Sequence, residues 1–138
     1  MILKVLPIVG RWRICAVCDP SGEAPAINSL TSGGNSDANA GSKRQMWAYL
    51  EHVAQSQYPP RNTTVSHQLD EKYDLWEFIK GDVRVVFFYD EGKTIVLTHG
   101  FLKGGQDTPQ GEILRGRRSV IAYRRAKREQ NLHFVEEP

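Results

Sequence analysis

Several chemistries are missing from this 138-residue chain. There is no G-x-x-x-x-G-K-S/T loop, which argues against a P-loop nucleotide site. There is no G-x-S-x-G turn, so a nucleophile elbow is absent too. No apolar run approaches the roughly 20 residues of a membrane span. The four histidines, His52, His67, His99 and His133, lack the close spacing of metal ligands. The carboxylates form no obvious magnesium cluster. No cofactor or metal is therefore expected, and hydrolytic chemistry would rest on side chains alone. Cysteine is scarce as well: Cys15 and Cys18 make one C-x-x-C. A zinc site needs more ligands than that, and strand residues three apart face opposite ways. Two small buried hydrophobes are the better reading.

What remains is an ordinary globular composition, 40% apolar and 25% charged, consistent with one domain over residues 1–138. The apolar opening, Met1 to Gly10, is short. It carries Lys4, has no clear cleavage site and runs into Arg11 and Arg13, so a cytoplasmic protein is expected rather than an exported one. Net charge is only +2, but the distribution is uneven. Seven basic residues and no acidic ones lie between Arg115 and Arg128, a stretch compatible with a phosphate-binding face.

The periodicity predicts an α+β fold. A first strand spans 12–18, with a turn at Asp19-Pro20-Ser21-Gly22 and a short helix near Ala26–Leu30. A clear helix follows over Lys43–Gln57, where Met46, Tyr49, Leu50 and Val53 share a face. Tyr58-Pro59-Pro60 ends it. Three strands, Tyr73–Lys80, Val83–Tyr89 and Thr94–Phe101, are joined by short turns and predict an antiparallel meander. Thr108 suits the cap of a final helix and Pro109 its first position. In that helix Ile113, Leu114, Val120 and Ile121 form one broad stripe. The expected sheet has about four antiparallel strands, with helices packed on one face and the other face open to a ligand.

A few residues stand out against this frame. Arg84 shares a face of its strand with Val86 and Phe88. Such an arginine clamps a phosphate through its planar fork, or pairs with a carboxylate at a sheet edge; spacing alone favours the pair. Lys103 stands at a strand end, a place that often holds functional groups, although spacing alone favours a solvated surface lysine. His99 reads as a core or supporting histidine, or as a base. The arginines of 115–128 either follow an RNA backbone or make a solvated helix face. Tyr73, Trp76 and Tyr89 are stacking candidates unless they belong to the core.

The segments Asp74–Phe78, Val83–Tyr89, His99-Gly100-Phe101-Leu102-Lys103 and Thr108-Pro109 with Glu112-Ile113 together resemble the phage-derived Gp49-like proteins. Those belong with the HigB toxins in the RelE/ParE superfamily. The resemblance is clearest over residues 43–126. It implies a RelE-like fold, a type II toxin–antitoxin role, and cleavage of messenger RNA at the ribosome. It also implies a helix-turn-helix antitoxin of the HigA type as partner. Arg84 matches the arginine of the family's central strand and Lys103 the first lysine of its H-G-F-x-K-K segment, where Gly104 replaces the second lysine. The catalytic candidates are then Arg84, Lys103 and His99. The RNA-binding candidates are Lys80, Arg115, Arg117, Arg118, Arg124 and Arg125. A non-catalytic nucleic-acid-binding module and a gyrase-directed toxin of the ParE type are the alternatives.

Overall fold

The computed structural model describes residues 1–58, 61, 64–103 and 107–136. The Pro59-Pro60 helix stop and the Gly104 departure lie outside the described residues. The elements in chain order are β1 (Ile2–Val5), β2 (Arg13–Val17), α1 (Pro25–Thr31), α2 (Ala40–Gln55), β3 (Ser66–Asp70), β4 (Leu75–Lys80), β5 (Val83–Asp90), β6 (Thr94–Leu102), α3 (Gln110–Arg128) and β7 (His133–Glu136). The strands form one seven-stranded sheet in the order β3-β4-β5-β6-β2-β1-β7.

The expected four-stranded antiparallel sheet is therefore wrong in size and in kind. The meander β3-β4-β5-β6 is antiparallel, but β2 pairs with β6 in parallel, and so does β7 with β1. The three strands not anticipated are short, four or five residues each. At that length the residue types have to carry the signal, and β3 (Ser66–Asp70), with one apolar residue, carries little of it. Pairing defines them instead: Leu3 opposes Val17 and Phe134, which ties β1 and β7 together across the chain, while β3 pairs with the neighbouring β4.

Helices cover both faces, not one. Ile27 and Leu30 of α1 with Met46, Leu50 and Val53 of α2 seal one face against Ile14, Phe78, Val85, Phe87 and Leu97. Phe78 and Phe87 stack there with ring centroids 3.8 Å apart. On the other face Val120 and Tyr123 of α3 cover Leu3, Cys15, Val86, Phe88 and Val96. Both sheet faces are thus covered over this central region. Burial drives the Cys15 thiol up to about 12, which keeps it an inert hydrophobe.

The stripe of α3 also differs from expectation. Leu114 and Ile121 are 41% and 51% exposed, whereas Gly116, Val120, Tyr123 and Ala126 are buried. Spacings of four, three and three keep these four on one face. Gly116 is the point of closest approach: a β-carbon there would meet Leu75 Cδ2 at 2.7 Å and Val86 Cγ1 at 3.1 Å. Gly100 plays the same part on the opposite face, where α1 brings Ser29 against it. Apolar periodicity assigns no weight to glycine, so the true contact face was hidden.

Seating α3 this closely makes Gly116→Leu destabilising, by about 1–3 kcal/mol through overpacking. Urea denaturation reads the shift; an unchanged midpoint would mean that α3 does not sit down on Leu75 and Val86.

Candidate active site

The β5–β6 ladder is irregular at one place. Phe87 opposes Leu97, but Val86 opposes His99, so Thr98 is an extra residue on β6. Such a bulge shifts the alternation by one. Ile95 and Leu97 face α1 and α2, and strict alternation would send His99 the same way. The bulge instead turns His99 towards α3, beside Val86. Arg84 opposes Phe101 on the same face, and Glu77 opposes Val86 from β4.

Polar side chains thus collect where apolar ones are expected. Glu77 is 0%, His99 1% and Arg84 5% exposed. Thr108 donates its hydroxyl to Glu77 Oε2 at 2.7 Å. It does not cap α3, whose capping residue is Pro109 and which has no side-chain cap among the described residues. A capping hydroxyl accepts from backbone N–H groups; here the helix begins at Gln110, one position too late for Thr108, whose hydroxyl turns to the buried Glu77 instead. Glu77 Oε1 has no hydrogen-bond partner among the described residues; His67 Nδ1 lies 3.9 Å from it.

His99 Nδ1 is 2.7 Å from Thr98 Oγ1, and Nε2 is 3.7 Å from Glu112 Oε1 in the first turn of α3. A carboxylate facing Nε2 favours the tautomer with its proton there, so Thr98 donates to Nδ1. Nε2 makes no hydrogen bond of its own to any described residue. Burial, reinforced by the Arg115 guanidinium, holds the imidazole down at about 4. The contact with Glu112 is therefore between a neutral ring and a carboxylate, not an ion pair at pH 7.

Arg84 is not at a sheet edge, since β5 lies between β4 and β6. Its Nη1 donates to Gly81 O at 2.6 Å and Val83 O at 3.3 Å. Lys103 follows β6 by one residue and is half-buried, with its amide donating to Asp82 O at 2.8 Å. Arg84 and His99 thus come together on one face, and Lys103 continues the strand that carries His99. Among the described residues, no group of three or more His, Cys, Asp and Glu side chains is placed to hold a metal ion.

The basic residues do not act as one surface. Lys80 stands on the opposite face, its ammonium 4.5 Å from the Tyr49 ring centroid on α2. Arg117 pairs with Asp70 at 2.5 Å, Arg125 with Glu129 at 3.1 Å, and Lys127 with Asp90 at 2.8 Å. Burial opposes ionisation of Asp90, yet Lys127 and Tyr123 hold it below the usual carboxylate range. Arg124 reaches the Tyr73 carbonyl at 3.5 Å. Arg115 and Arg118 are exposed. No acidic residue interrupts the run in sequence, but neighbouring strands supply them in space. Of the aromatic candidates, Trp76 is buried and ties its indole N–H to Asp74 at 2.8 Å. Tyr89 is half-buried against Trp12, Trp76 and Phe87, and Tyr73 is half-buried with Arg117 across its ring.

Sequence reasoning missed Glu77, Thr98, Thr108 and Glu112 as members of the cluster. Glu77 alone left a signal, as a charge inside an otherwise apolar strand. The cluster has a measurable pH signature. His99 protonates near 6.5 when unfolded but at about 4 when folded. The unfolded chain then binds the extra proton between those values, so stability falls as pH drops through that window, by up to about 3 kcal/mol. Ring-proton NMR of His99 and denaturation at pH 7 and pH 4.5 check both parts; a His99 titration near 6.5 would contradict the buried neutral ring.

No helix among the described residues is long and apolar enough to cross a membrane. No curated protein matches the chain in sequence. The family described as phage-derived Gp49-like proteins (DUF891) matches residues 36–120, rather more than half the chain. That stretch runs from before α2 to Val120 in α3, and it contains Glu77, Arg84, His99, Lys103 and Glu112. It is consistent with a toxin of a toxin–antitoxin pair. By the extent of this match, over the elements that carry the polar cluster, the chain belongs to the Gp49-like family of phage-derived proteins.

Proposed function

We propose that this protein is the toxin of a type II toxin–antitoxin pair and an endoribonuclease that cuts messenger RNA on the ribosome without a metal ion. Its partner is a helix-turn-helix antitoxin of the HigA type. Family membership supports the toxin role. The observation that carries the chemistry is the placing of Arg84 and the neutral His99 on one face of adjacent strands.

RNA brings its own nucleophile. The 2′-oxygen attacks phosphorus, the P–O2′ bond forms and the P–O5′ bond breaks. The proton lost at the 2′-oxygen is balanced by the one gained at the leaving 5′-oxygen. The products are a 2′,3′-cyclic phosphate and a 5′-hydroxyl. Arg84 stabilises the charge that develops on the phosphoryl oxygens, with Lys103 beside it; such stabilisation is usually the largest single contribution. The 2′-proton passes to Thr98 Oγ1 as Thr98 gives its own hydroxyl proton to Nδ1 of His99, which is uncharged at pH 7. Arg84 and His99 are buried, so the phosphate reaches them only when the first turn of α3, which carries Glu112, moves aside. Ribosomal orientation of the message supplies positioning that a sparse site lacks. Arg115, Arg118 and Arg124 contact the RNA backbone.

One observation favours a second reading. Arg84 is bonded to main-chain carbonyls, which is what a structural arginine does. In that case the protein is a non-catalytic nucleic-acid-binding module using the exposed arginines of α3.

Induced expression in bacteria, with growth and transcript 5′ ends followed together, separates the two. Wild type is expected to arrest growth and to cut inside translated messages. The Arg84→Ala/Lys103→Ala double variant, confirmed folded by circular dichroism, is expected to lose about 100-fold or more of the cutting. Arrest with intact messages, or cleavage by the purified protein that needs a divalent metal, would overturn the ribonuclease reading.

A further inference from the structure

The bulge that presents His99 also presents Thr98 to the α3 side, where it lines a cleft of about 370 Å³ together with Val17, Arg115, Arg118, Ser119 and Ala122. That volume lies within the range of small-molecule sites. We propose that this cleft seats one ribonucleotide, with Arg115 and Arg118 on its phosphate and Thr98 Oγ1 accepting a hydrogen bond from its ribose. The proposal rests on the RNA reading above for the source of the nucleotide, and on the cleft alone for its chemistry.

Three features specify that chemistry. Arg115 and Arg118 are exposed and three residues apart on α3, which puts them on neighbouring positions of one helical face. Their planar forks match phosphate oxygens. Ser119 adds a hydroxyl beside them. Asp19 also lines the cleft, but its Oδ1 already accepts the Ser21 amide at 2.9 Å, the Ser21 hydroxyl at 2.5 Å and the Glu23 amide at 3.1 Å. Its charge is held mainly by its own turn and acts more weakly on Arg115, which leaves Arg118 the less engaged of the two guanidinium groups.

Thr98 distinguishes a ribonucleotide from a bare anion. In the tautomer favoured by Glu112, with the ring proton on Nε2, its hydroxyl proton goes to His99 Nδ1, so towards the cleft it offers lone pairs only. A phosphate oxygen cannot use them, whereas a ribose hydroxyl donates to them. The 2′-hydroxyl is the group by which a protein tells RNA from DNA. Val17 and Ala122 supply apolar wall for the rest of the nucleotide. A ribose held at Thr98 is one hydrogen bond away from His99, so the seat adjoins the polar cluster directly.

Two sources share this chemistry, a residue of an RNA strand and a free mononucleotide. Amide chemical shifts of the full chain are followed on titration with adenosine 3′-monophosphate, its 2′-deoxy counterpart, inorganic phosphate and a short oligoribonucleotide. Shifts centred on Val17, Thr98, Arg118 and Ser119 are expected. The deoxynucleotide should bind about fivefold more weakly. Arg118→Ala should weaken every phosphate probe by roughly tenfold. Thr98→Val should remove the ribose preference while leaving the dispersion of a folded spectrum. Cleft shifts with the oligoribonucleotide alone assign the seat to a strand, and with the mononucleotide alone to a free nucleotide. Equal affinity for the ribo and deoxy probes, or shifts absent from the cleft with every probe, overturns the proposal. Binding at the cleft by a protein that cuts no message would leave the seat standing and remove the ribonuclease reading. Cleavage of messages with no shift at Thr98 or Arg118 would do the reverse.

Discussion

One extra residue in the β5–β6 ladder organises the polar half of this molecule. With Thr98 bulged, the alternation set by Ile95 and Leu97 is reset, and His99 lands beside Val86 under α3. Gly100 then faces α1, where only a missing side chain allows Ser29 to approach. Without the bulge, an imidazole would enter the apolar layer beneath α1 and α2, and a residue with no room for a side chain would face α3. A shift of one residue inverts every later side chain on a strand, so the bulge and the glycine have to occur together.

The two faces of the sheet follow different physics. Beneath α1 and α2 the contacts are almost entirely apolar, with Phe78 and Phe87 stacked at the centre. Beneath α3 the apolar seam of Leu75, Val86, Phe88 and Val120 gives way, towards the start of the helix, to Glu77, Arg84, His99, Thr108 and Glu112. Two buried polar atoms there, Glu77 Oε1 and His99 Nε2, have no hydrogen-bond partner among the described residues. Burying such groups costs stability in a protein with little to spare. Structural economy does not explain them.

The basic helix shows how tertiary context edits charge. Asp70 from β3 and Asp90 from β5 each take up one of its cations, and Glu129 takes another. What remains exposed is split between Arg115 and Arg118, at the end of α3 nearest His99, and Arg124 and Arg128 towards its other end. A run of seven cations in sequence becomes two separate exposed pairs.

The sequence by itself determined the α+β class, the α2 helix, the three central meander strands and the residues that mark the family. Each of these rests on local chemistry: apolar periodicity, turn residues and short motifs act within a dozen residues. Arg84, His99 and Lys103 stood out because a charge or an imidazole in or beside an apolar strand is unusual on its own. Only the tertiary structure decided the other three strands, the covering of both sheet faces and the partners of each cation. It alone showed the role of Thr108 at Glu77 and the direction in which His99 points. Several of these depend on contacts between residues far apart in sequence, such as Thr108 with Glu77 and Leu3 with Phe134, and the direction of His99 depends on a bulge that leaves no compositional trace. Nothing along the chain records them until the strands come together.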